Sequence, residues 1–245
     1  MNVKSKKIGI ITQARMTSTR LPGKILKHVG GKTILEYHLD RLQWSNLPIY
    51  IATTTNATDD EVSNWALEHK IPCYRGSEND VLTRYYSCAL ENRLDVIVRV
   101  TSDCPLIDGK IIRQAVNQYI TNNDSNEYLS NCLVRTFPRG FDFEIFSFEL
   151  LEEAHQHATT PTQREHVTPY INQNVSGKVH IKHITRTSDN SQYRITLDTE
   201  DDFKLIRKLI EDFNCETMET QEIISLLMAN PWLHEINSHI EQKKI

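Results

Sequence analysis

The stretch ITQARMTSTRLPGK, Ile11 to Lys24, sets three cations, Arg15, Arg20 and Lys24, among hydroxyl side chains with no acid, directly after the apolar run Ile8 to Ile11. Cations so spaced, with loop N–H groups and Gly23 to let the backbone come close, can surround a polyanion, and a triphosphate fits that description. The bland alternative is a solvated basic loop. Position argues against it, because the segment follows the first strand of an α/β pattern. Two commoner phosphate loops are excluded. Counting back from Gly31-Lys32-Thr33 puts Leu26 where a P-loop needs its first glycine, and Gln13-Ala14-Arg15 has no glycine for a dinucleotide fingerprint.

Other segments carry chemistry at comparable points. TSDCPLID places Ser102 and Asp103 directly after a β-branched run, so the carboxylate should stand at the ligand edge of a sheet, while Asp108 better explains the cap of the next helix. Thr53, Thr54 and Thr55 close an earlier strand and either contact a ligand or satisfy turn hydrogen bonds. FPRGFDFE (Arg139, Asp142, Glu144) and REHVTPY (Arg164, Glu165, His166) concentrate charge in the second half, as substrate contacts or as a structural arginine–carboxylate network. His155 with His157 and His180 with His183 have spacings that point the rings apart, so no histidine metal site is expected.

These residues need a scaffold to bring them together. The first half alternates strands (Lys7 to Thr12, Pro48 to Thr53, Pro72 to Tyr74, Asp95 to Val100) with helices (Thr33 to Trp44, Asp59 to His69, Asp80 to Asn92, Gly109 to Ile120). That order predicts an α/β fold, a mostly parallel sheet covered on both faces, with ligands beyond the strands' carboxyl ends. In FDFEIF, Asp142 and Glu144 should share one strand face, with Phe141, Phe143 and Ile145 on the other. Helices are expected at Ser147 to His157, Gln163 to Gln173 and Asp201 to Phe213, strands at Val179 to Ile184 and Tyr193 to Leu197, and a helical tail from Thr220 with a break at Pro231. The 245 residues read as one domain: a nucleotide-binding half at about 7–120, an acceptor-binding half at about 121–215 and a tail at 216–245. A net charge of −4 offers no general attraction for nucleic acid. Five scattered cysteines suggest a reducing cytoplasm, and the short apolar run behind Lys4, Lys6 and Lys7 is too brief for a signal peptide or membrane span.

QARMTSTRLPGK closely resembles the signature loop of the cytidylyltransferases that make CMP-activated acid sugars, above all the spore-coat polysaccharide branch. The likeness continues through ATTTNATDDEV, YRGSENDVLTRYY, VRVTSDCPLID, FPRGFDFEIFS, REHVTPYI and TLDTEDDFKLI, so it spans roughly residues 7 to 210. The resemblance implies a three-layer α/β/α, nucleotide-diphospho-sugar-transferase-like fold, CTP as donor, Mg2+ as cofactor and a homodimer. It further implies that Arg15, Arg20 and Lys24 bind triphosphate, that Gln13, Ala14, Thr53, Thr54 and Ser102 contact the nucleotide, and that Asp103 and Asp198 hold the metal. Arg15, Lys24 and Asp103 form the expected catalytic set. A sugar acid offers one carboxylate for an arginine and several hydroxyls for acids, which suits Arg139, Asp142, Glu144, Arg164, Glu165 and His166; His166 is also a candidate base. CMP-Kdo synthetases usually carry Gly-Asp-Glu-Pro where this chain has Ser102-Asp103-Cys104-Pro105, so the metal position survives and that sugar is in doubt. A phosphorylated acceptor is the near alternative. A metal-dependent glycosyltransferase would want an Asp-x-Asp pair, but Cys104 and Pro105 follow Asp103. A non-catalytic scaffold would not need the basic loop and both aspartates.

Overall fold

The computed structural model describes residues 6–241, so Lys4 and the end of the expected helical tail lie outside it. Its first half alternates as the periodicity requires: β1 (Ile8–Gln13), a hairpin of β2 (His28–Val29) and β3 (Lys32–Thr33), α1 (Ile34–Gln43), β4 (Ile49–Thr54), α2 (Asp60–Glu68), β5 (Cys73–Gly76), α3 (Val81–Glu91), β6 (Val96–Thr101) and α4 (Gly109–Asn122). The second half runs β7 (Glu127–Ser130), β8 (Glu144–Ser147), α5 (Phe148–His157), α6 (Pro161–His166), α7 (Pro169–Asn172), β9 (His180–His183), α8 (Glu200–Glu211), α9 (Thr220–Ala229) and α10 (Pro231–Glu235).

The main sheet has seven strands in the order β5-β4-β1-β6-β8-β7-β9. Strands β5, β4, β1 and β6 pair in parallel, β8 runs antiparallel to both its neighbours, and β7 pairs in parallel with β9. The chain builds outward from β1 through β4 to β5, then returns to place β6 on the other side of β1. Strand order therefore reverses between β1 and β6, where Gln13 pairs with Thr101. That reversal opens a crevice at the strands' carboxyl ends.

Leu35, Leu39 and Leu42 of α1 pack with Val62 of α2 and Ile112 and Val116 of α4 on one sheet face, against Ile10, Ile51 and Val98. Tyr85 of α3 and Leu150 and Leu151 of α5 cover the other face, over Ile11, Tyr50 and Ile97. The result is an α/β/α sandwich. A third cluster, including Leu205, Leu209, Ile223 and Leu227, seats α8 and α9 against Ile34 and Tyr37 of α1. The five cysteines are free thiols. Among the described residues no helix is long and apolar enough to cross a membrane.

Three expected elements differ. Strand β8 begins at Glu144, because Phe141 to Phe143 turn aside to meet Asn131, whose side chain donates to the Phe141 carbonyl and accepts from the Phe143 amide. The helix expected over Gln163 to Gln173 breaks at Val167 into α6 and α7. Tyr193 to Leu197 makes only an isolated bridge between Arg194 and Arg139. Gly140 permits that approach: it has φ +112°, and a Cβ there would stand 2.8 Å from the Ile195 backbone. Strand β7 and the β2–β3 hairpin had no expectation.

His38 of α1 braces the crevice from beneath. Its Nδ1 lies 2.9 Å from the Cys104 carbonyl, which can only accept, so Nδ1 carries the proton and Nε2 accepts from Thr12 Oγ1 at 2.9 Å. Burial pushes its pKa down to about 4, against the hydrogen bond to Cys104 and the nearby Asp103 charge. The folded value lies below the ordinary 6.5, so on acidification the unfolded chain takes the proton first. His38 should therefore erode stability as pH falls from about 6.5 to 4, by up to roughly 3 kcal/mol. Urea unfolding of wild type and His38→Gln across that range should give a shallower pH slope in the variant; equal slopes would contradict the assignment.

Candidate active site

The basic loop leaves β1 and is tied down by two acids. The Ala14 amide donates to the Ala52 carbonyl, continuing the ladder to β4. Beyond it the Met16 amide donates to Asp59 Oδ1 at 2.7 Å, and Thr54 Oγ1 donates to the other oxygen of the same buried carboxylate. Glu78 accepts from Thr17 Oγ1 and Asn56 Nδ2, both at 2.5 Å, and faces the Arg15 guanidinium at 3.7 Å. The Thr17 and Asn56 bonds hold the Glu78 carboxyl below its usual range. Gly23 closes the loop at φ +66°, its amide donating to the Met16 carbonyl, and delivers Lys24 into the crevice.

Lys24 Nζ donates to Asp103 Oδ2 at 2.8 Å, to the Leu197 carbonyl at 2.7 Å and to Asp198 Oδ1 at 2.9 Å. Burial works against charge on both partners, but the pairing prevails. Lys24 is raised, and Asp103, which also accepts from Thr101 Oγ1, is held down at about 2. Asp198 also meets Arg20 at 3.0 Å and Arg194 at 2.8 Å. Arg194 in turn grips the buried Asp202, which accepts from the Asp198 and Thr199 amides and from Asn237 Nδ2. Asn237 Nδ2 lies 3.0 Å from the Arg194 carbonyl as well, so the chain's last described turn fastens this corner.

Two connected cavities flank these groups. The smaller, about 260 Å³, is lined by Gln13, Arg15, Arg20, Lys24, Ser102, Asp103, Glu165 and Asp198 among others. The larger, about 1030 Å³, shares Gln13, Arg15, Arg20, Asp103, Glu165 and Asp198 and continues past Arg99, Arg135, Arg139, Asp142, Glu144, His166 and Thr168. Most charge in the larger cavity is already matched. Arg135 pairs with Asp142, while Glu144 accepts from Arg99, from Tyr128 Oη at 2.5 Å and from Thr168 Oγ1 at 2.6 Å. The side chains of Arg139 and His166 have no hydrogen-bonding or ionic partner among the described residues. Burial and the neighbouring Arg135 cation lower the Arg139 pKa, and burial lowers that of His166.

The structure thus gathers Gln13, Arg15, Arg20, Lys24, Ser102, Asp103, Arg139, Asp142, Glu144, Glu165, His166 and Asp198 around one crevice. Four expected contacts lie off it. Ala14 and Thr53 are buried, Thr54 is engaged by Asp59, and Arg164 donates to the Ala158 and His155 carbonyls at the end of α5 and faces Asp80 at 3.5 Å. Glu144 lines the cavity but is only 5 % exposed and carries three donors, so it serves as a structural acceptor. Sequence reasoning missed Asp59, Glu78, Arg99 and Arg135. A cation inside the β-branched run VIVRVT was a signal for Arg99; Arg135 had none.

The three oxygens around Lys24 Nζ, two carboxylate and one carbonyl, are hard donors of the kind Mg2+ or Mn2+ takes. Among the described residues no cluster of three or more acids, histidines or cysteines surrounds one point, so such an ion would complete its shell with water and substrate phosphate. Within those terms the donor set fits.

Asp59 fixes the basic loop at the mouth of the crevice. Asp59→Ala should lower stability by about 1–3 kcal/mol by orphaning the half-buried Met16 amide and the buried Thr54 hydroxyl. It should also weaken triphosphate binding, as read by chemical unfolding and by calorimetry with CTP; undiminished CTP affinity would refute the loop-anchoring role.

A cytidylyltransferase family model matches residues 9–236. An uncharacterized protein of Methanocaldococcus jannaschii is 37% identical over 97% of each chain. The spore coat polysaccharide biosynthesis protein SpsF of Bacillus subtilis is 30% identical over 90% of this chain and 94% of its own. The structure of a cytidylyltransferase from Leptospira borgpetersenii superposes with a TM-score of 0.89 at 37% identity, covering 98% of this chain and all of that one. With an uninterrupted match across both halves of the crevice, the chain belongs to the cytidylyltransferase family.

Proposed function

We propose that the chain transfers CMP from CTP to a sugar acid, releasing pyrophosphate, with Mg2+ bound at Asp103 and Asp198. The observation that carries this reading is Lys24, held between those two carboxylates where a basic loop meets a large acceptor-sized cavity. Arg15 and Arg20 bind the β- and γ-phosphates from the loop. The Lys24 ammonium would compete with a divalent cation held by Asp103 and Asp198 for their charge, and a Lys24 so released would stand beside the charge that builds on departing pyrophosphate. The metal ion supplies charge neutralisation at the phosphates and lowers the pKa of a coordinated oxygen. Most of the rate enhancement in such a transfer comes from positioning and charge stabilisation, which these groups provide.

On the acceptor side, Arg139 is the cation left for a carboxylate, since Arg135, Arg99 and Arg194 already face acids. Its partial burial strengthens such a pair. Glu165 stands exposed where the two cavities meet and suits sugar hydroxyls. His166, with a lowered pKa, is neutral at pH 7 and able to take the proton of the attacking hydroxyl. A homodimer and a surface-polysaccharide pathway belong to the same reading, the latter supported by the name of the B. subtilis relative.

The test is pyrophosphate release with Mg2+, comparing CTP with ATP, GTP and UTP across Kdo, neuraminic, legionaminic and pseudaminic acids. Release with CTP and one acid is expected. Release only with a phosphorylated acceptor would replace the acceptor half of the proposal. Asp103→Asn should cut turnover at least about 100-fold while circular dichroism stays native; undiminished Mg2+-dependent turnover would remove the metal assignment.

A further inference from the structure

Between α6 and α7 the backbone of Val167 stands at φ 70° and ψ −56°. The Thr168 amide donates to the His166 carbonyl at 2.8 Å, closing a three-residue γ-turn of the strained, positive-φ kind. The other positive-φ residues that are not glycine, Asn46, Lys70, Arg93, Asn123, Asn174 and Asn214, have φ between 46° and 57°, near the ordinary left-handed helical basin. Val167 is β-branched and fully buried, the side-chain type least suited to such a turn.

Both flanks explain how the turn survives. On one side, α6 is locked by the reciprocal Thr160–Gln163 cap and by Arg164, which donates to the Ala158 and His155 carbonyls. On the other, Thr168 Oγ1 donates to Glu144 at 2.6 Å and Pro169 opens α7. The Val167 side chain is held in the apolar cluster that includes Leu151, Ala154 and Ile171. An unbroken helix through this segment would point successive residues around all sides. The turn instead sets His166 and Glu165 from one arm, and Thr168 and Asn172 from the other, on the wall of one cavity. Strain that surrounding packing over-determines, beside a half-buried and unpartnered imidazole, is where positioning is found.

We infer that the Val167 γ-turn is a positioning device that fixes the His166 imidazole over the acceptor cavity, so that Val167 is a positioning residue for deprotonation of the acceptor hydroxyl. This rests on the reading of the large cavity as the acceptor site. In that step the hydroxyl O–H bond breaks and its proton passes to His166. The oxygen forms its bond to the α-phosphorus, and the bond from that phosphorus to pyrophosphate breaks.

The experiment compares wild type, Val167→Ala and Val167→Gly, with His166→Gln to assign the ring signal in NMR. Both Val167 variants lose the buried side chain, but only glycine is free of the positive-φ penalty. Val167→Gly should therefore unfold at or above the temperature of Val167→Ala, reversing the usual order. It should also free the corner: the His166 pKa rises toward 6.5, and kcat with the acceptor falls about tenfold or more while CTP KM stays within about twofold. The titration is read in the field of Glu165 and Arg99, the charges that act on His166, neither of which is substituted. A less stable Val167→Gly, or His166 titration and kcat both unchanged in that variant, would overturn the proposal. Should neither variant fold, the wild-type ring decides: NMR couplings and NOEs that show His166 averaging between side-chain rotamers would overturn the proposal, and a single ring orientation facing the cavity would support it. A wild type that releases no pyrophosphate with any acceptor would fail the parent reading instead, and the unfolding order and ring titration would still decide the role of the turn.

Discussion

Everything in the crevice depends on one ammonium group among three oxygens. Lys24 joins Asp103, which is 79 residues away, to Asp198, which is 174 away, so this contact ties together segments far apart in the sequence. Two carboxylates brought to one point at partial burial would repel. The lysine offsets that repulsion and holds Asp103 at about 2. The same need explains the second line of charges behind it: Arg194 and Asp202 are buried and acceptable only because each is matched. A lattice of opposed charges thus pins the loop after β1, the end of β6 and the segment before α8 to one point.

The larger cavity divides its polar groups differently. Arg99, Tyr128 and Thr168 all converge on Glu144, which ties that wall together and leaves it little acceptor capacity for a ligand. The Arg139 guanidinium and the His166 ring are not so engaged, and both sit on backbone held from outside the sheet: Arg139 against Tyr193 and Ile195, His166 on the corner at Val167. Arg99, Tyr128 and Glu144 are carried on β6, β7 and β8, whereas Arg139 lies in a loop and His166 at the last residue of a short helix, a division that matches the general one between scaffold and loops.

Local pattern carried the first half of the molecule well. Apolar spacing of 3.6 and 2 residues located α1 through α4 and β1, β4, β5 and β6, and the rule about strand ends put Gln13, Ser102 and Asp103 at the crevice. Long-range pairing was not legible. Nothing in FDFEIF says that Asn131 will claim the carbonyl of Phe141 and delay the strand to Glu144, and nothing in REHVTPY says that Val167 will leave the helix. Arg164 and Glu144 have the same side-chain chemistry as true ligand contacts; only the positions of the α5 carbonyls and of Tyr128 reveal them as structural. Asp59 was read as the start of a helix, yet its carboxylate serves the loop 43 residues earlier.

Asn237 gives the network a temporal meaning. Its side-chain amide reaches both Asp202 and the Arg194 carbonyl, behind the aspartate that faces Lys24. During synthesis this residue leaves the ribosome long after the sheet strands are available to pair, so a nascent chain can possess its whole β-sheet and still lack a finished charge lattice. Until the turn that carries Asn237 docks, the Arg194 carbonyl and the Asp202 carboxylate lack that donor, and water must fill its place. The charge lattice is therefore completed later than the pairing of the strands, by a residue that belongs to none of them.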